Sequence, residues 1–98
     1  MDETVRIPIM GISELKVGDN IYCKCILIAG TLEFYGNIIK INEYYYISME
    51  ISTPLNEYTK IYINTVQNTL TLPKELYYMI FKINKMSEDY IPYEDRVI

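Results

Sequence analysis

The sequence predicts a mainly β fold, a small five-stranded barrel with a C-terminal helix. Three observations predict it. Apolar and polar residues alternate at a period of two through 21–29 and 44–51. Turn-forming pairs interrupt the alternation at short intervals, at Gly30-Thr31, Asn42-Glu43 and Gln67-Asn68. Gly36 falls in mid-strand, where a glycine marks a bulge or sharp bend at which a small sheet curls. With 98 residues, half of them hydrophobic, the chain makes one domain with room for one core.

Taken in order, residues 1–9 form an N-terminal arm or strand and 10–72 the barrel. The Val17-Gly18-Asp19-Asn20 segment is a turn, with Gly18 supplying freedom in φ. The first barrel strand, 21–29, puts Ile21, Cys23, Cys25, Leu27 and Ala29 on one face, and the second runs over 32–41 through Gly36. In the third, 44–51, Tyr45, Ile47, Met49 and Ile51 face inward while Tyr44, Tyr46, Ser48 and Glu50 face outward. Residues 52–57 read as a loop. Residues 60–66 read as a fourth strand with Ile61 and Ile63 inside, and 69–72 as a fifth with Leu70 and Leu72 inside. Pro73 stops that strand and suits the first turn of a helix over 73–86, where Leu76, Ile80 and Ile83 share a face. That stretch also holds strand formers in Tyr77, Tyr78, Ile80, Phe81 and Ile83. Residues 87–98 are an acidic tail.

Short strands at close spacing with one helix describe a barrel of SH3/Sm-like or OB-like type, whose closure hides sheet edges. The run Phe34-Tyr35-Gly36-Asn37-Ile38-Ile39-Lys40-Ile41-Asn42-Glu43-Tyr44-Tyr45-Tyr46-Ile47-Ser48-Met49-Glu50 resembles the first half of an Sm-like domain. The turn aspartate of that family falls at Asn42 and its RNA-contacting asparagine at Tyr46. Its second, basic-glycine motif has no counterpart in 60–72. The stretch Leu15-Lys16-Val17-Gly18-Asp19-Asn20-Ile21, with Tyr35 and Ile51-Ser52-Thr53-Pro54, resembles the N-terminal barrel that precedes PilZ domains, without the arginine-rich PilZ motif. Both resemblances imply fold, and neither carries functional residues over intact.

Charge narrows the function classes. Between residues 10 and 86 seven acids meet seven lysines, so the formal net charge of −4 belongs to the two ends. A neutral body gives no broad footprint for a phosphate backbone, which places nucleic acid behind protein as a partner. Met1-Asp2-Glu3 is acidic where a signal peptide is basic, and Ile26-Leu27-Ile28-Ala29 is far short of the roughly 20 apolar residues of a membrane span. A soluble, cytoplasmic protein with no membrane contact is expected.

The chain has no histidine and two arginines, which excludes a His-based triad and an arginine-fork phosphate cluster. Cys23 and Cys25 are two residues apart, unsuited to a disulfide and half of a zinc ligand set, so they read as core residues, with no metal and no cofactor expected. The body's carboxylates are scattered singly, and no enzyme is predicted. Seventeen isoleucines and seven asparagines against one alanine indicate an AT-rich coding bias, which also supplies tyrosines.

Two surfaces remain. Tyr44 and Tyr46, with Tyr62 from the adjacent strand, would make an exposed aromatic patch fit for an interface or for base stacking. Tyr90, Tyr93, Glu94 and Asp95 would make a partner-docking arm. The expected function is a non-enzymatic binding module for a protein partner or itself, a homo-oligomer included. Such a chain would suit a viral or mobile-element accessory or inhibitor protein. The alternatives are an Sm-like single-stranded RNA binder and an oligomeric small-ligand binder.

Overall fold

The computed structural model describes residues 4–85, and over them every strand joins one antiparallel sheet. The strands are β1 (Thr4–Pro8), β2 (Asn20–Ile26), β3 (Thr31–Asn42), β4 (Tyr46–Pro54), β5 (Thr69–Pro73) and β6 (Ile80–Lys85). They lie in the order β1-β6-β2-β3-β4-β5, with one helix, α1 (Glu57–Thr65), between β4 and β5. The fold is thus mainly β, with six strands where five were expected. The sheet does not close into a barrel: β1 and β5 are its two edges, and no ladder joins them among the described residues.

The period-two reading locates much of the core, but Leu27 and Ala29, expected on the inner face of a strand over 21–29, are exposed, because β2 ends at Ile26 and they lie in the hairpin tip. Ile21, Cys23 and Cys25 on β2, Phe34 on β3 and Ile47, Met49 and Ile51 on β4 are buried, as are Leu70 and Leu72 on β5. One side of this core is covered by Tyr58, Tyr62 and Ile63 of α1. The rest of the cover comes from Ile12 in a short 3-10 turn and Leu76, Tyr77 and Met79 in the turn before β6. The ladder between β3 and β4 shifts register at Tyr35/Gly36 and again between Ile38 and Lys40. These are the bulges that bend a long strand. Gly18, the one described residue with positive φ, turns the chain, donating its N–H to the Ile38 carbonyl at 2.8 Å.

Two segments differ from expectation. Residues 60–66 are not a strand: 60–65 belong to α1, Val66 caps its C-terminus, and Ile61 points outward. Asn56 caps this helix by accepting the Thr59 N–H at 2.8 Å, and Glu57 sits favourably in the first turn. Tyr58, Thr59, Tyr62 and Ile63 then form the stripe, spaced by one and four, that a helix buries. The helix expected over 73–86 is instead a 3-10 turn, Lys74–Met79, followed by β6. Both edges of β6 find partners, β1 on one side and Ile21–Cys23 of β2 on the other. Its backbone is thereby satisfied by long-range pairing that local helix propensity cannot match. The arm-or-strand at 1–9 contains β1.

Candidate functional site

The structure does not bring Tyr44, Tyr46 and Tyr62 together in one patch. Tyr44 does not lie on a strand: Glu43–Tyr45 form the turn between β3 and β4, and the Asn42 carboxamide oxygen accepts the N–H groups of Tyr44 and Tyr45 at 3.0 and 3.2 Å. Tyr45, expected inside, is 71% exposed, and Tyr44 is 73% exposed. Their rings stand 6.3 Å apart, centre to centre. Tyr46 opens β4 on its outward side with the Lys40 ammonium 5.6 Å above its ring. The turn is tied to the start of the 3-10 turn that follows β5 by the Lys74 N–H, which donates to the Tyr45 carbonyl at 3.1 Å.

Tyr62 is not part of this patch. It rides on α1 against the core, and its hydroxyl donates to the Thr69 carbonyl at 3.3 Å. Thr69 pairs with Glu50 and Pro73 with Tyr46, so Tyr62 and Tyr46 mark opposite ends of the β4–β5 ladder. Tyr90, Tyr93, Glu94 and Asp95 lie outside the described residues.

A second cluster was not anticipated. Direct cross-strand pairing lines up Pro8, Phe81, Tyr22, Tyr35 and Thr53 across five strands, on the face turned away from the core. Tyr22 packs at 5.8 Å from Phe81 and 5.7 Å from Tyr35, and its hydroxyl donates to the Glu33 carboxylate at 2.6 Å. Arg6 reaches over from β1, with its guanidinium carbon 3.8 Å from the centre of the Tyr22 ring and one N–H donating to the Tyr35 hydroxyl at 2.9 Å. Tyr22 is only 5% exposed as a result. Burial, followed by the bond to Glu33, pushes its pKa up to about 12. The hydrogen bond to Tyr35 in turn raises that of Arg6.

Two further features are open to solvent. The β2–β3 hairpin ends in Ile26, Leu27, Ile28 and Ala29. Leu27 and Gly30 exchange N–H···O bonds of 2.9 and 3.3 Å, and Ile28 stands fully exposed at the tip. A groove of about 370 Å³ runs between α1 and β4, lined by Ile51, Ser52, Pro54, Lys60, Ile63, Asn64 and Asn68.

Cys23 and Cys25 are unbridged and fully buried, as their strand positions predict, and burial raises the pKa of both. Neither is expected to react with a thiol reagent at neutral pH while the sheet is intact, because the thiolate is the reactive form. Labelling should therefore proceed no faster than unfolding. Labelling faster than unfolding followed by circular dichroism would show that β2 opens locally.

The chain finds no match among protein-family models, curated proteins or solved structures. No described helix is long and apolar enough to cross a membrane.

Proposed function

We propose that this chain is a non-enzymatic binding module that grips a protein partner through the tyrosine turn between β3 and β4. The observation that carries the reading is the pair of exposed rings, Tyr44 and Tyr45, on a turn whose backbone is already fastened by Asn42. Tyrosine presents a large amphipathic surface with few rotatable bonds, and a pre-formed turn lowers the entropy lost on binding. The charges in the chain segments that meet at the turn are balanced, Lys40 and Lys74 against Glu43 and Glu75. That favours a protein surface over a phosphate backbone.

The order of five of the strands supports an SH3-like reading of the fold. β2 to β5 run as a meander, and β6, reached over a 3-10 turn, returns to pair with β2. On that reading β1 is an addition at the edge.

Tyr44→Ala with Tyr45→Ala should leave the melting temperature within about 2 °C of the parent, since both rings are solvated. It should weaken partner binding by roughly 30-fold or more, as expected for losing an aromatic anchor worth about 2 kcal/mol. A double variant that binds as the parent does places the site elsewhere. The Lys40 ammonium over Tyr46 favours one competing reading, single-stranded RNA stacked on the same rings. Titration with a short single-stranded RNA over 50–300 mM salt separates the two: a steep loss of affinity with salt supports RNA, and no measurable binding supports protein.

A further inference from the structure

The cluster around Arg6 has the form of a filled binding site. Its floor is complete without β1. Tyr22 is held by Glu33 and flanked by Tyr35 and Phe81, and β6 is anchored to the sheet through its pairing with β2. What lies on the floor is a guanidinium stacked on an aromatic face, with a tyrosine hydroxyl as acceptor and a carboxylate nearby. Arginine suits that arrangement better than lysine, being planar, weakly hydrated and able to stack and donate together.

The strand that delivers Arg6 is weakly held. β1 is an edge strand with a single ladder, to β6, and its Val5 and Ile7 side chains stay 46% and 41% exposed. Arg6 is the strand's side-chain tie across β6 to β2 and β3. The chain first enters the core at Ile9, and an open stretch follows. Met10 is solvated, and a Cβ added at Gly11 would meet nothing within 4 Å. Chain that re-routes there carries the buried Ile9 across with β1 and gives up the 2.6 Å bond from the Met10 N–H to the Glu14 carboxylate, and a second copy offers both the same core position and the same acceptor.

We propose that this site, the free edge of β6 plus the Tyr22, Tyr35 and Phe81 rings, is a receptor for an arginine-bearing strand. The strand it accepts in trans is β1 of a second copy, giving a strand-exchanged dimer in which each Arg6 lies on the other copy's Tyr22. Every contact β1 makes at home is available to the same five residues of a second copy in the same antiparallel register, which is what makes exchange cheap. This surface is separate from the tyrosine turn, so the proposal stands or falls independently of the function proposed above.

The test uses the full chain and a fluorescent peptide of sequence Thr-Val-Arg-Ile-Pro. Light scattering after size exclusion should show the wild-type chain moving from monomer to dimer as concentration rises. Tyr44→Ala with Tyr45→Ala should dimerise as the parent does. Arg6→Ala loses the same contact from the closed monomer and from the exchanged dimer, so its dimerisation constant should stay within about threefold of the parent's while exchange of subunits between dimers becomes at least tenfold faster. By anisotropy the peptide should bind the Arg6→Ala chain at least fivefold more tightly than it binds wild type, because the resident competitor is weakened. An Arg→Lys peptide should bind less well, and an Arg→Ala peptide not at all. If Arg6→Ala does not fold, the three peptides titrated into wild type decide the same question. The proposal is overturned by an Arg→Ala peptide that binds as well as its parent, which would make Arg6 a clamp for its own strand and nothing more. A wild-type chain that stays monomeric at several hundred micromolar while capturing the peptide overturns it equally, since the occupant would then be a strand from another protein.

Discussion

Gly36→Ala is expected to destabilise the protein by about 3 kcal/mol or more, lowering its melting temperature by about 12–24 °C, or to prevent folding. The reason is space and not backbone freedom, because Gly36 does not have positive φ. At the register shift between β3 and β4 the two backbones approach so closely that a Cβ on Gly36 would lie well inside contact distance of the Glu50 carbonyl oxygen. That atom is main chain in the central part of the sheet and cannot swing aside as a side chain could. For a domain of this size, with a total stability of roughly 5–15 kcal/mol, the loss is a large share. The other glycines supply the controls. Gly11→Ala meets nothing and should be neutral or slightly stabilising, and Gly30→Ala presses only on the Tyr58 ring, 2.8 Å away, which can move. Thermal melts of the three variants should rank Gly36→Ala far below the others. Equal melting points for Gly36→Ala and Gly11→Ala would mean the close approach is not present in solution.

The same bulge bears on the outer face. Tyr35 precedes Gly36 and pairs directly with Tyr22, so the strand that bends at Gly36 also sets the ring against which Arg6 rests. A variant that straightened β3 would be expected to disturb that cluster along with the core.

Much of this was legible because it is local. Alternation through Ile21, Cys23 and Cys25 and through Ile47, Met49 and Ile51 reports a buried face directly, and a glycine flanked by strand residues reports a bend. The failures have physical causes. In 57–65 the β-branched and aromatic residues suit a strand by propensity, and Ile61 and Ile63 even alternate. The decisive signals were the Asn56 cap and the helical spacing of Tyr58 with Tyr62 and Thr59 with Ile63. In 74–85 the helical spacing of Leu76, Ile80 and Ile83 was real but without consequence. β6 is specified by two strands far away in sequence, β1 and β2, and no local window contains them.

The candidate sites divide in the same way. Tyr46 was placed on the outward side of its strand by local alternation, whereas Tyr44 was assigned to the strand and lies in the turn before it. Tyr62 was misplaced together with its element. Arg6 could not be found at all: its partners Tyr22 and Tyr35 meet it only after β1, β6, β2 and β3 have assembled. A lone arginine in an apolar N-terminal strand was the one hint.

Asn56→Ala is expected to cost about 2–3 kcal/mol, more than an ordinary helix cap, because the side chain serves three partners. Its oxygen accepts from the Thr59 N–H and from the Thr59 hydroxyl, while its amide donates to the Thr31 carbonyl at 2.8 Å. Thr59, fully buried, accepts the Glu33 N–H on the same hydroxyl at 2.8 Å. Two side chains thus fasten α1 to the start of β3, and no buried side-chain polar atom among the described residues is left without a partner. Thr59→Val keeps the shape and removes the hydroxyl, stranding the Glu33 N–H, and should cost about 2 kcal/mol. Asn56→Asp separates the two roles: it keeps the cap on Thr59 but faces the Thr31 carbonyl with an oxygen instead of a donor, so its loss should fall between zero and that of Asn56→Ala. Combined, Asn56→Ala and Thr59→Val should cost clearly less than the sum of the singles, since either one already breaks the shared bond. Hydrogen exchange supplies the local readout. In Asn56→Ala the amides of α1 from Lys60 onward should exchange faster while those of β2 and β3 slow or quicken only with global stability. Additive losses, or α1 amides that track the sheet, would show that the helix is held by Tyr58, Tyr62 and Ile63 against the core and that the polar tether adds little.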